Sequence, residues 1–135
     1  MRYKRQLAER FCGQQRTVLE LGVMHGYTTA LLAAVFQRVI AVDIFAHCLG
    51  AAARHARHVG DLARKITFLH MDSKADDWRL LAQNNVSVVV IDAAHDYHAV
   101  RSDAEKALRH LPRLPLGRRK GLVRGEETWP PKPLS

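Results

Sequence analysis

Val18-Leu19-Glu20-Leu21-Gly22-Val23-Met24-His25-Gly26-Tyr27-Thr28-Thr29 is the stretch that decides the reading of this 135-residue chain. A short apolar run ends beside an acid, turns through two glycines and enters an Ala- and Leu-rich segment. That pattern predicts a strand over Thr17 to Leu21, a tight loop, and a helix over Thr28 to Phe36. Such a junction suits the nucleoside end of a cofactor. A dinucleotide site would place a second glycine where Met24 stands, to let the backbone approach a pyrophosphate. The spacing Gly22-x-x-x-Gly26 instead suits a ligand that needs close backbone approach but carries no phosphate.

Working outward, the same alternation repeats. Arg38 to Asp43 is a β-branched run closed by an acid, and Ala46, Leu49, Ala53 and Ala56 follow at helical spacing up to Gly60. Ile66 to His70 is a third strand, ending at Met71-Asp72-Ser73. A helical turn follows around Trp78, Leu80 and Leu81, with Trp78 expected in the core. Val86 to Ile91 is nearly all apolar, as in a strand buried on both faces of a parallel sheet. It closes on Asp92. Tyr97, Val100, Ala104, Ala107, Leu108 and Leu111 then form one helical stripe with Asp96 as N-cap. Upstream, Tyr3, Leu7, Ala8 and Phe11 predict an amphipathic helix ending near Gly13.

Helix, then strand and helix alternating four times, implies a Rossmann-like three-layer α/β/α sandwich with a mainly parallel sheet of four or five strands. Only Gly121 to Arg124 offers a fifth strand. The chain divides into a domain over 1–111 and a basic, Pro-rich tail over 112–135. In an open parallel sheet the ligand crevice lies at the carboxyl ends of the strands. Asp43, Asp72 and Asp92 therefore converge on one edge, with Glu20 in the first strand. Asp43 lies 21 residues after Gly22, where an acid accepts hydrogen bonds from ribose hydroxyls.

The net charge of +8 sits at the two ends. Residues 1–16 carry five basic groups against Glu9, residues 113–135 carry six against Glu126 and Glu127, and the stretch between has ten of each sign. The centre is not a basic platform, so a nucleic-acid partner is not expected, and only the ends would draw phosphates. No apolar run approaches the roughly 20 residues of a membrane span. No apolar signal core follows the basic start, so a cytoplasmic location is expected. Cys12 and Cys48 make neither a disulfide framework nor a zinc site. His25, His47, His55, His58, His70, His98 and His110 show no convergent metal spacing.

Glu20-Leu21-Gly22 through Gly26, Val42-Asp43, Met71-Asp72-Ser73 and Ile91-Asp92 resemble the successive motifs of class I S-adenosylmethionine-dependent methyltransferases. Ile91-Asp92-Ala93-Ala94-His95-Asp96-Tyr97-His98-Ala99-Val100-Arg101-Ser102-Asp103 resembles the Ile-Asp-Gly-x-His-x-Tyr-x-x-Val-x-x-Asp stretch of a small-molecule and sugar O-methyltransferase-like subgroup. The resemblance covers about residues 15–111 and is faint beyond, where Gly121 to Pro130 echoes a fifth-strand stretch.

The resemblance implies S-adenosyl-L-methionine as cofactor and O-methylation of a small-molecule or sugar hydroxyl. It implies that Gly22 to Gly26 pass under the methionine part and that Glu20 supports this loop near the amino group. Asp43 would hold both ribose hydroxyls, Asp72 the adenine amino group and Ser73 its ring edge. Asp92 and Ala93 would border the reacting methyl, and His95 and Tyr97 would face the acceptor. His95 is the candidate base, because its ordinary pKa lies near ~6.5. In metal-dependent members the acid at the position of Asp92 is a ligand, and with Glu126 or Glu127 it could imitate a hard-cation site. No metal is assigned.

Relatives have a seven-stranded sheet, so this chain reads as incomplete at its C-terminal end. That predicts an exposed edge at the fourth or fifth strand, which a protein partner or second copy would cover. It also predicts an acceptor pocket open on one side. Alternatives to small-molecule O-methylation are a binding module or subunit that keeps the cofactor half alone, or a nucleic-acid methyltransferase or binder using the basic ends.

Overall fold

In a computed structural model, the described residues are Gln6, 16–74, 77–82, 84–91, 97–111, 122–124 and 127–128. Six strands form one sheet in the order β3-β2-β1-β4-β5-β6. The elements are β1 (Thr17–Leu21), α1 (Tyr27–Val35), β2 (Arg38–Asp43), α2 (Ala46–Arg57), a 3₁₀ turn (Gly60–Lys65) and β3 (Ile66–His70). They continue with α3 (Arg79–Ala82), β4 (Val86–Ile91), α4 (Tyr97–His110), β5 (Leu122–Arg124) and β6 (Glu127–Thr128). Apart from Gln6, the expected helix over residues 3–11 lies outside the described residues, as does the cap at Asp96.

The period-two side-chain alternation builds the layers. Leu19, Leu21, Ile40, Val42, Val89 and Ile91 face one way, against Trp78 and Leu81 near α3 and Ala104, Ala107 and Leu111 along α4. Val18, Val39, Ala41, Val88 and Val90 face the other way, against Leu32, Ala33, Val35 and Phe36 around α1 and Leu49 and Ala52 of α2. Strands buried on both faces read as continuous apolar runs, which explains the composition of β2 and β4. The β1–β4 register slips once, Thr17 pairing Val86 while Val18 pairs Val88. One extra residue on β4 therefore puts Val86 on the same face as Val89.

β1 pairs in parallel with both β2 and β4, and β2 pairs in parallel with β3. The chain order reverses direction across the sheet between β1 and β4, the switch point where such sheets open a crevice. Two expectations change at the other side. The sheet has six strands rather than four or five, because Glu127–Thr128 folds back antiparallel on β5. β4 is no edge: Val89 and Val90 pair in parallel with Leu122 and Val123 of β5. Backbone pairing thus draws part of the segment read as a tail into the sheet. Among the described residues no helix is long and apolar enough to cross a membrane.

Candidate functional site

The carboxyl ends of β1, β2 and β3 open on a cavity of about 640 Å³. That volume lies within the roughly 300–1,000 Å³ typical of small-molecule sites. Gly22, Asp43, Asp72 and Ser73, all expected there, line it. Met24, Ile44 and Phe45 also line it. These three side chains are 54%, 50% and 57% exposed, so the mouth of the cavity has an apolar rim.

The loop between β1 and α1 is built on left-handed backbone. Gly22 and Gly26 have φ of 93° and 87°, and Met24 between them has 53°. A chain that turns this sharply leaves N–H groups unpaired by any ladder, and a buried N–H needs an acceptor. Asp43 supplies it. Its Oδ2 accepts the N–H groups of Val23 at 2.9 Å and Met24 at 3.2 Å. Its Oδ1 accepts the Phe45 N–H at 2.9 Å. The Gly22 N–H donates to Val42 O at 2.8 Å, so three hydrogen bonds fasten the loop to the end of β2. Each carboxylate oxygen can accept two bonds, which leaves capacity at Oδ1 for a further donor.

Gly26 serves a different need from the close ligand approach read into the loop. A Cβ there would lie 2.8 Å from both Cα and Cβ of Ala52. The glycine lets the start of α1 sit against α2. Glu20 is fully buried and accepts a short hydrogen bond from Thr29 Oγ1 through Oε1. It ties β1 to the first turn of α1 and does not line the cavity.

On the far wall, Asp72 Oδ1 accepts the Lys74 N–H at 2.9 Å and closes the turn after β3. The Met71 N–H donates to Asp43 O at 3.1 Å, joining that turn to the end of β2. His70 Nε2–H donates to Ile44 O at 2.7 Å and steadies the residue after Asp43. Cys48, half-buried and free, also lines the cavity. Desolvation, and secondly the charge of Asp43, push its thiol pKa up.

Asp92, Ala93 and His95 lie outside the described residues, as do the side chains of Tyr97, Glu126 and Glu127. Among the described residues no group of three or more His, Cys, Asp or Glu side chains converges to hold a metal. Two features were not assigned from the sequence, although Asp103 closes the stretch quoted after β4. The Asp43 bonds to Val23 and Met24 span 20 and 19 residues. The cavity also takes a lining group from α4, the buried Asp103.

A mainly parallel sheet with a cavity at the carboxyl ends of β1, β2 and β3, bordered by a glycine loop and a strand-end acid, defines a Rossmann-like α/β domain. Residues 19–114 match the family model described as a methyltransferase domain, and the chain belongs to that family. No curated protein matches it.

Solved structures share the fold. One is an rRNA methylase from Streptococcus thermophilus (TM-score 0.66, 18% identity), with 82% of this chain and 63% of that one covered. Another is cofactor-bound Rv0187 from MTB (TM-score 0.68, 22% identity), with 82% and 50% covered. A third is TrmK from M. capricolum in complex with S-adenosyl-homocysteine (TM-score 0.62, 16% identity), with 83% and 47% covered. The match thus spans between about half and just under two thirds of those chains.

Proposed function

We propose that this domain binds S-adenosyl-L-methionine and transfers its methyl group to a hydroxyl of a small molecule or sugar. The observation that carries the cofactor is the cavity at the ends of β1, β2 and β3, with the Asp43 carboxylate in its wall and no phosphate-type glycine at Met24. The donor set fits the group. Asp43 Oδ1 retains acceptor capacity for a ribose hydroxyl, and the apolar rim of Ile44 and Phe45 suits the flat face of a purine. Asp72 and Ser73 line the same wall and would meet the base edge. Gly22 to Gly26 would run beside the methionine part, steadied by Glu20 through Thr29.

When bound, the cofactor supplies an already activated methyl, so the protein's work is positioning. Asp92 and Ala93 would border the transferred group. His95 would take the hydroxyl proton, which a hydroxyl acceptor must lose. The His-x-Tyr pattern after β4 supports a small hydroxyl acceptor, and the evenly balanced charge of the central stretch supports it over a nucleic acid.

Calorimetry with S-adenosylhomocysteine tests the cofactor. A folded sample that shows no heat of binding overturns this reading. A screen of hydroxyl acceptors, followed by release of S-adenosylhomocysteine, tests the transfer. Binding without turnover on any acceptor would make the chain a cofactor-binding module that needs a partner subunit. Turnover on RNA alone would replace the acceptor class.

A further inference from the structure

Asp103 ends the stretch that follows β4, and nothing above gives it a role in the chemistry. It lies in the middle of α4, is 2% exposed, and lines the cavity. A carboxylate buried to that degree is costly unless its bonds are needed. Its Oδ1 has no hydrogen-bond partner among the described residues. Ser73 lines the same cavity, close enough for its hydroxyl to pull the carboxyl's pKa down against the effect of burial.

Three residues further along α4, on the same side of the helix, stands Lys106. Its Nζ donates to Ser73 O at 2.7 Å and to Lys74 O at 2.8 Å. Trp78 Nε1 also donates to Ser73 O, at 2.8 Å. The turn after β3 is therefore held by side chains of α4 and by the Trp78 indole. Within the turn, the Lys74 N–H donates to Asp72 Oδ1.

We infer that Asp103 and Lys106 are positioning residues that hold the Asp72–Lys74 turn in its binding shape and so set the affinity for the base end of the cofactor. This rests on the cofactor assignment proposed above. A turn left to its own backbone would order only on binding, and that ordering would weaken affinity. Anchored from α4, the turn is shaped beforehand. The anchor also joins the wall that meets the base to the helix that follows the Asp92 segment.

The test uses the full chain carrying Trp129→Phe, which leaves Trp78 as the single tryptophan of the two in the sequence. Lys106→Met and Asp103→Leu remove the anchors, and Asp103→Asn keeps an acceptor for Ser73. Three quantities are read: the Kd for S-adenosylhomocysteine, the Kd for adenosine, and the Trp78 emission maximum without ligand. Lys106→Met and Asp103→Leu should weaken both ligands by a common factor of about five to ten, since the turn meets only their shared base. Their emission should shift to the red, and Asp103→Asn should stay within about twofold of the parent.

A purely structural role would lower Tm and leave the Kd of the folded protein unchanged. Folded variants with parental Kd values and parental emission would overturn the inference. If the parent binds neither ligand, the cofactor assignment fails, and the emission alone decides whether α4 holds the turn. If Asp103→Leu does not fold, Lys106→Met carries the same comparison.

Discussion

Asp43 fastens Val23: the carboxylate that ends β2 accepts, through Oδ2, the N–H of the residue after Gly22 at 2.9 Å. It takes the Met24 N–H as well, at 3.2 Å. The acid expected to hold ribose hydroxyls is thus first a clamp on the loop beside it. Asp43→Ala should raise the Kd for S-adenosylhomocysteine and also lower Tm. A buried N–H left without its acceptor costs about 1–3 kcal/mol. A role confined to the ligand would change Kd alone, so calorimetry paired with thermal unfolding separates the two.

Gly26→Ala should destabilise the fold. The new Cβ would meet Ala52 at 2.8 Å, at a φ of 87° that side chains rarely adopt. Overpacking of this kind costs about 1–3 kcal/mol. Ala52→Gly in the same chain should recover the contact part and leave the φ strain. A denaturant double-mutant cycle showing no coupling between the two positions would remove Ala52 as the cause.

Thr29→Val keeps the shape of the first turn of α1 and deletes the hydroxyl that donates to Glu20. The loss should cost about 1–3 kcal/mol, since the acceptor is a fully buried carboxyl group. Chemical denaturation measures it. Unchanged stability would show that this bond does not hold α1 to β1.

Burial pushes the Asp103 pKa up, against the opposing pull of the Ser73 hydrogen bond and of Lys106 and Lys74, with Asp72 adding to the rise. A carboxyl whose folded pKa exceeds its unfolded value, about 3.9, binds more protons in the folded state between the two. Stability from this group is therefore complete below the unfolded value and is lost as pH rises through the folded one. Asp103→Asn should be more stable than the parent at pH 7, and the gap should shrink as pH falls into the ordinary carboxylate range. Urea midpoints of both proteins across pH would show this, and a constant gap would contradict it.

His95→Ala should lower turnover on a hydroxyl acceptor by about 10²- to 10⁴-fold, the usual contribution of a positioned base. Cofactor affinity should hold, because His95 is assigned to the acceptor. Initial rates and calorimetry on one preparation check both halves. Retained turnover would move the base elsewhere.

The four central strands and the helices between them were legible in the sequence because burial on both faces leaves period-two apolar runs, and helices leave an apolar stripe. Gly22, Asp43, Asp72 and Ser73 were legible as lining one cavity because strand ends in a parallel sheet meet at one edge. β6 was not, since a two-residue strand has no periodicity and forms only by pairing with β5.

What the sequence alone determined is the alternation of elements and the edge where the acids meet, because both follow from local pattern and chain order. What only the tertiary structure decided is which of those acids clamps, supports or lines. Asp43 reaches Val23 and Met24, Glu20 takes Thr29, and Asp103 arrives at the cavity from a helix beyond β4. Those roles rest on contacts between residues distant in the chain, and such contacts leave no periodic trace in the residues that make them.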